Sequence, residues 1–152
     1  MLVEDVEAEA THDLRWRILR NRRAGAPVVF PEDSRAGAFH IAVRDVDETG
    51  TGSGAILAVA SFIPEEITYR PGRTAVHLRG MAVDGPSQQH GLGRLLVTTV
   101  LERLRRDGVA VLWCNARDSA IGFYSRLGFE VVGDGFVLPE SGVAHHVMLR
   151  DL

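Results

Sequence analysis

A glycine-containing turn near the middle of the chain has residue types that suit phosphate binding. The segment Gln88-x-x-Gly91-x-Gly93 follows an apolar run over residues 78–83 and precedes apolar residues at helical spacing. A helix that begins here would direct free backbone N–H groups and a positive dipole end at a ligand, and glycines would let the backbone approach that ligand closely. Because short glycine motifs also arise by chance, the same residues fit a plain strand-to-helix turn equally well.

A tyrosine further along the chain has the chemistry of a general acid. Tyr124 lies within residues 120–129, AIGFYSRLGF. A phenol, with an ordinary pKa of about 10, can donate a proton to a thiolate as that thiolate forms. The alternative is an aromatic side chain that packs into the core at helical spacing.

Together the two segments resemble motifs of the GNAT (Gcn5-related N-acetyltransferase) superfamily. The first is similar to the family's acyl-CoA pyrophosphate loop, Q/R-x-x-G-x-G/A, and the second to its A-I-x-x-Y-x-x-x-G-F segment. They occur in the family's order, and an apolar helix and an apolar strand separate them. The likeness is best over residues 76–129 and loose before Phe39. It implies the α/β acyl-CoA N-acyltransferase fold, with a mixed central sheet of about six to seven strands flanked by helices on both faces.

The resemblance also implies an activity and a set of site residues. It implies direct transfer of the acetyl group of acetyl-CoA to a primary amine of a small molecule or peptide, with Tyr124 as general acid to the CoA thiolate. The pantetheine arm would pair with the strand over residues 79–83. The cofactor-binding residues expected from the resemblance are Met81, Val83, Gln88, Gln89, His90, Gly91, Leu92, Gly93, Arg94 and Asn115.

The chain departs from the family pattern at one position, and its sequence leaves the identity of the general base open. The family often has an asparagine seven residues before the tyrosine, where this chain has Arg117, and Asn115 is an alternative contact for pantetheine. A general base is open between water and several side chains, of which His145 and His146 receive most attention because they begin the last strand. The candidates by residue type are Glu65, Glu66, His40, His77, His145 and His146.

Length and composition limit the classes of protein. The 152 residues suit a single domain over residues 1–152, and a net charge of −3 does not favour a nucleic acid or membrane partner. Cys114, the one cysteine, lies in an apolar run and suggests a core residue in a reducing, cytoplasmic setting. No metal is expected, because neither HxxxH nor CxxC spacing occurs. The resemblance leaves a homodimer open.

Hydrophobic patterning predicts the elements that must position these residues. Strands are predicted over residues 1–6, 38–43, 55–62, 74–83, 109–115, 129–132, 136–138 and 144–149, and helices over residues 11–20, 91–107 and 118–127. Thr11 and Asp118 or Ser119 are predicted N-caps, and Gly108 and Gly128 are predicted helix ends. Gly80 indicates a bulge or a close approach by a ligand. The arginines of the first helix, including Arg15, are interpreted mainly as a solvated face.

Two other functions compete with acetyl transfer. A dinucleotide-binding enzyme would share Gly91-x-Gly93, but Leu96 replaces the third glycine and Trp113 lies where a ribose-binding acid is expected. A non-catalytic acyl-CoA-binding module would keep the glycine loop. The retained Tyr124 argues for catalysis, whereas Arg117 in place of asparagine leaves room for the binding module.

Overall fold

Seven strands form one mixed sheet in the computed structural model, which describes residues 1–139 and 141–152. The strands are β1 (Leu2–Val6), β2 (Phe39–Arg44), β3 (Ile56–Pro64), β4 (Ala75–Val83), β5 (Val111–Arg117), β6 (Glu130–Leu138) and β7 (Val143–Asp151). Their order is β1-β2-β3-β4-β5-β7-β6. The β4–β5 pair is parallel, whereas β1–β2, β2–β3, β5–β7 and β6–β7 are antiparallel. With the helices α1 (His12–Leu14), α2 (Leu92–Arg106) and α3 (Ile121–Arg126), this sheet confirms the predicted α/β class.

The chain divides into two compact units. The first unit is Met1–Ile63 with Leu78–Val100, and the second is Pro64–His77 with Leu101–Leu152. Each unit has a buried apolar cluster. The cluster of the first unit contains Leu14, Ala42, Val59 and Ala82, and that of the second contains Ile67, Ala75, Val111, Trp113 and Leu149. A single domain over residues 1–152 stays a prediction.

The helix α2 follows the predicted apolar spacing. The buried side chains on it are Leu92, Leu96, Val97, Val100, Leu101 and Leu104. It ends as predicted at Gly108, whose φ of 76° is one that side chains rarely adopt. The N–H of Val109 donates to the carbonyl of Leu104 at 3.0 Å, which is the bond of a Schellman ending.

The two predicted strand pieces over residues 129–132 and 136–138 are one strand, β6. Its register against β7 shifts between Val132 and Phe136, and Gly133 in this interval has a φ of 72°. The shift marks a bulge, which accounts for the break in the hydrophobic pattern.

The predicted first helix is only partly correct. A 3-10 turn (Ala8–Thr11), the short α1 and a π-helical turn (Arg15–Leu19) replace one regular helix. Thr11 is wrong as a side-chain cap, because its hydroxyl donates to the carbonyl of Ala8 at 2.6 Å and the residue is fully buried. Asp118 is likewise not a cap: a 3-10 turn (Asp118–Ala120) precedes α3, and neither turn nor helix has a capping side chain.

The end of α3 agrees with the prediction. Gly128 has a φ of 85°, and the N–H of Phe129 donates to the carbonyl of Tyr124 at 3.1 Å. None of the helices within residues 1–139 and 141–152 is long and apolar enough to cross a membrane.

Candidate active site

The glycine turn of the first unit is a strand–turn–helix element. The strand β4 ends at Val83, a 3-10 turn follows over Gly85–Ser87, and α2 begins at Leu92. The carbonyl of Gly91 accepts the first helical bond, from the N–H of Leu95 at 2.9 Å. The amides of the first α2 turn therefore have no intrahelical acceptor and are available to an anion.

Two residues of this turn have a left-handed backbone conformation. Gln89 and Gly91 have φ values of 65° and 77°. A Cβ built on Gly91 would meet no atom within 4 Å, so the side of the turn that this glycine leaves bare is open. The Gln88 side-chain amide donates to the carbonyl of Val83 at 3.1 Å and fastens the turn to the end of β4.

The other residues predicted to bind the cofactor differ in how far their side chains are exposed. The Leu92 side chain is buried in the core, so only its amide can serve a ligand. His90 and Arg94 are exposed, and Gly93 is half-buried. Met81 and Val83 of β4 are half-buried on either side of the buried Ala82, so their side chains lie on the less buried face of this strand.

Gly80, where the sequence indicated a bulge or a close approach by a ligand, has a left-handed backbone conformation within β4. Its φ is 65°, and an added Cβ would lie 3.0 Å from Cε2 of Phe30 and 3.3 Å from Nε of Arg15. The close approach is therefore made by two side chains of the same unit.

The solvated-face interpretation is wrong for Arg15, which is 0% exposed. Its guanidinium makes a bidentate pair with Asp33, at 2.7 and 2.8 Å, and also donates to Ser61 Oγ at 2.7 Å. It donates to the carbonyl of Val28 at 2.8 Å and lies 3.8 Å from the centre of the Phe30 ring. No spacing in the sequence signals this group, because its members come from three separate segments.

The buried Arg15–Asp33 pair changes the pKa of Asp33. Burial raises the pKa of Asp33, but hydrogen bonding to Arg15 and the charge of Arg15 outweigh that effect and leave the pKa below its ordinary value. His40, a candidate base, joins this group through Nδ1, which is 2.7 Å from Ser61 Oγ. His40 is buried and has a structural partner, which favours a supporting role over proton abstraction.

Tyr124 lies on α3 in the second unit and is 6% exposed. Its ring packs edge-on against Phe123 and Phe129, with centroids 5.0 and 5.3 Å away. Burial, followed by the neighbouring Cys114, raises the pKa of Tyr124 well above its ordinary value. The two side chains are hydrogen-bonding partners, and burial raises the pKa of the Cys114 thiol to about 12. Cys114 is thus the buried core residue that its apolar run predicted.

Two of the candidate bases occur together at the start of β4. Nδ1 of His77 lies 3.3 Å from Oε2 of Glu65, and its ring stacks on Trp113 with centroids 3.8 Å apart. The Trp113 indole donates to the Glu65 carbonyl at 2.9 Å. Trp113 is therefore a packing partner and offers no acid for a ribose. Glu66 accepts a hydrogen bond from the Gly72 amide at 2.7 Å, which fixes the loop before β4.

The histidines of β7 have different surroundings. His145 is buried, and its Nδ1 lies 2.6 Å from the Val143 carbonyl. Nδ1 of His146 lies 2.7 Å from Oδ1 of Asp118, an oriented imidazole–carboxylate pair at the start of the segment that holds Tyr124. In the β5–β7 register Ala116 faces His146 and Arg117 faces His145. The sequence had placed Asp118 in a capping role and so missed this pair.

Each unit therefore holds part of the predicted site. The first unit holds the glycine turn with Met81 and Val83, and the second holds Tyr124 with Asn115, which is half-buried near the end of β5. Within the described parts of the chain, no group of three or more His, Cys, Asp or Glu side chains could hold a metal ion.

Known proteins have sequences and folds similar to those of this chain. A family model described as an acetyltransferase (GNAT) domain matches residues 55–152. The uncharacterized N-acetyltransferase YitI of Bacillus subtilis (strain 168) is 30% identical over 147 residues, which cover 97% of this chain and 93% of YitI. The ribosomal protein bS18-alanine N-acetyltransferase of Escherichia coli (strain K12) is 36% identical over 84 residues, 53% of this chain and 51% of that protein.

A solved structure has a similar fold at low sequence identity. The crystal structure of an aminoglycoside 6'-N-acetyltransferase complexed with coenzyme A has a TM-score of 0.74 at 13% identity, covering 99% of this chain and 97% of that chain. At this identity the likeness shows the fold alone.

Proposed function

Since the chain belongs to the GNAT acetyltransferase family, we propose that it transfers the acetyl group of acetyl-CoA directly to a primary amine. The observation that carries the proposal is the turn before α2, where Gly91 leaves an open backbone surface beside free helix amides. A pyrophosphate there would accept hydrogen bonds from several amides at once. The cofactor-binding residues proposed are those of residues 88–94, with Met81, Val83 and Asn115 for the pantetheine arm.

The chemical step needs a donor for the departing sulfur. The uncharged amine attacks the thioester carbonyl, and an N–C bond forms as the C–S bond breaks. The nitrogen loses one proton to water or to a side-chain base, and the sulfur leaves as a thiolate that takes up a proton. We assign the donor role to Tyr124, whose raised pKa keeps the phenol protonated throughout the neutral range. Binding both substrates in one geometry would supply much of the remaining acceleration.

The first test of the proposal is a ligand-dependent melting temperature. Acetyl-CoA at about 100 times its dissociation constant stabilises the folded state by roughly 2.7 kcal/mol. At this chain length that corresponds to a rise of several degrees. NAD serves as the control, because a dinucleotide would exploit the same two glycines. A rise with NAD and none with acetyl-CoA would overturn the proposal.

The acid assignment predicts a selective effect of Tyr124→Phe. Removing the hydroxyl should lower kcat by about 100-fold or more, the usual contribution of general acid catalysis, and leave the acetyl-CoA dissociation constant nearly unchanged. The matched control is Tyr69→Phe, since Tyr69 is the other tyrosine of the chain and is exposed. Equal rates for the two variants would remove Tyr124 as the acid.

A non-catalytic acyl-CoA-binding module is the second candidate. It is favoured by Arg117, which stands where the family often has asparagine, and by the hydrogen bond between Tyr124 and Cys114. Acetyl-CoA binding without CoA release from any of a broad panel of amines would support it. A cytoplasmic setting, a homodimer and the identity of the base, whether side chain or water, stay predictions.

A further inference from the structure

The strand β4 carries an arginine next to the residues proposed to bind the acyl donor. The parallel ladder of β4 on β5 covers residues 75–77 and so ends two residues before Arg79. In the proposed function the pyrophosphate lies at the turn after Val83, so the pantetheine arm runs back along β4 from Val83 to Met81. The thioester end of the donor is then directed past Met81 toward Gly80 and Arg79. Two residues of a strand span at most about 7 Å, so Arg79 lies close to that end.

The Arg79 guanidinium is held in position by two neighbours of the same unit. It lies over the Phe30 ring, 4.5 Å from the ring centre, and its Nη1 is 3.2 Å from Oε2 of Glu32. The Phe30 ring is buried and lies against Gly80, where an added Cβ would be only 3.0 Å from Cε2. The guanidinium therefore rests on a fixed surface, and such preorganisation lowers the conformational cost of binding a ligand.

Two arginines contact this ring, and they differ in how far their hydrogen-bond donors are used. Arg15 is 0% exposed and donates to Asp33 and Ser61. The Arg79 side chain is 32% exposed, and none of the described residues accepts a hydrogen bond from it, since the Glu32 contact lacks hydrogen-bond geometry. A guanidinium has five N–H donors. Arg79 can therefore bind a ligand, whereas Arg15 is occupied within the fold.

A ligand that reaches Arg79 meets donors rather than the acid beside them. Oε2 of Glu32, the oxygen that faces Arg79, is buried, whereas the guanidinium is partly accessible. Phe30 covers one flat face of the guanidinium, so the N–H groups along its edge are the part left for a ligand. This edge matches a carboxylate or a phosphate, each of which can accept two parallel N–H···O bonds.

We propose that Arg79 binds an anionic group of the acceptor, a carboxylate or a phosphate ester, so that the acceptor is a small amine carrying such a group. This inference rests on the proposed function, which supplies the acetyl donor on β4. With its anionic group on Arg79, the acceptor directs its amine along β4 toward the thioester near Met81. Arg79 binds and orients the acceptor and takes no part in the proton transfers.

The test compares amines that differ only in the anionic group. CoA release at saturating acetyl-CoA is measured with the common L-amino acids, with the amines that lack their α-carboxylate, and with O-phosphoethanolamine against ethanolamine. At least one anionic amine should be used about tenfold or more efficiently than its counterpart, and Arg79→Gln should lower its kcat/KM about 10- to 100-fold, mainly through KM. The counterpart amine should keep its kcat/KM within about twofold in this variant.

Two further variants control for charge and folding. Arg23→Gln removes the same charge at an exposed position and should leave every rate nearly unchanged. Arg79→Lys keeps the charge but not the paired donors, so it should restore only part of the preference. The acetyl-CoA dissociation constant, measured on the same samples, should be equal in all variants and so reports an intact fold.

The outcomes separate this inference from the proposed function. Acetylation of amines with no preference for an anionic member of any pair, or equal effects of Arg79→Gln and Arg23→Gln, would overturn the role of Arg79 and leave acetyl transfer standing. Acetyl-CoA binding without CoA release from any compound would overturn both. A preference for carboxylates alone, or for the phosphate ester alone, would identify which anionic group the acceptor carries.

Discussion

Replacing Arg15 by methionine should destabilise the first unit more than any surface change. Methionine keeps most of the side-chain volume but leaves Asp33, whose side chain is 7% exposed, without its cation. Breaking a buried ion pair from one side costs about 3–5 kcal/mol, because the remaining charge stays buried and unpaired. The lost bonds to the Val28 carbonyl and Ser61 belong to the same cost, so the whole effect should be about 4 kcal/mol. Total stabilities are only about 5–15 kcal/mol.

Urea unfolding and calorimetry would measure this effect. Each kcal/mol shifts the melting temperature of a chain this long by roughly 2–4 °C, so Arg15→Met should lower it by about 10 °C. Arg23→Met is the matched control, because Arg23 is exposed and its loss should cost no more than about 0.5 kcal/mol. Adding Asp33→Asn to Arg15→Met should recover part of the loss by removing the unpaired charge. Similar losses in Arg15→Met and Arg23→Met, or no recovery in the double variant, would refute the reasoning.

The pH dependence of the stability deficit tests the same prediction independently. In the natural chain the pKa of Asp33 is below its ordinary value of 3.8, so its stabilising contribution is present above that pH and disappears as pH falls through the folded-state pKa. Without Arg15, burial dominates and the pKa of Asp33 rises. The stability deficit of Arg15→Met should therefore shrink as pH is lowered from 7 toward 4. A constant deficit over that range would mean that the charge of Asp33 is not its cause.

Two further predictions concern the site. Gly91→Ala introduces no steric contact but forces a φ of 77° on a residue that has a side chain. It should therefore lower the free energy of unfolding, measured in urea, by about 1–2 kcal/mol. It should also weaken acetyl-CoA binding in titration calorimetry, and unchanged affinity in a folded variant would contradict the loop assignment. Because the pKa of Cys114 is about 12 and the residue is buried, iodoacetamide at pH 8 should label it only in urea, and rapid labelling of the native chain, detected by mass spectrometry, would contradict that environment.

The parts of the site that could be predicted from sequence are those built from contiguous backbone. The glycine turn, the start of α2 and its Gly108 ending all follow from residues within a few positions of one another. Free amides at a helix start are a local property, and so is the positive φ of a glycine. Gly80 was recognisable for the same reason, although the side chains that approach it were not.

The parts that could not be predicted depend on partners far away in sequence. Arg15 lies 18 residues from Asp33 and 46 from Ser61, and the arginine-rich segment around it has the pattern of a solvated face. Asp118 illustrates the same point, since its position suited a helix cap but its carboxylate binds His146, 28 residues away. A hydrogen-bonding side chain takes the best partner that the fold supplies, and local spacing does not reveal that partner.

This difference explains why the sequence indicates how the acyl donor would be bound but not how the acceptor would be bound. The acyl donor would be held largely by backbone amides, whose positions a short glycine motif specifies. An acceptor would instead be held by side chains from separate segments of the chain, and no local spacing reveals which segments converge on folding. A motif can therefore identify the cofactor without identifying the acceptor.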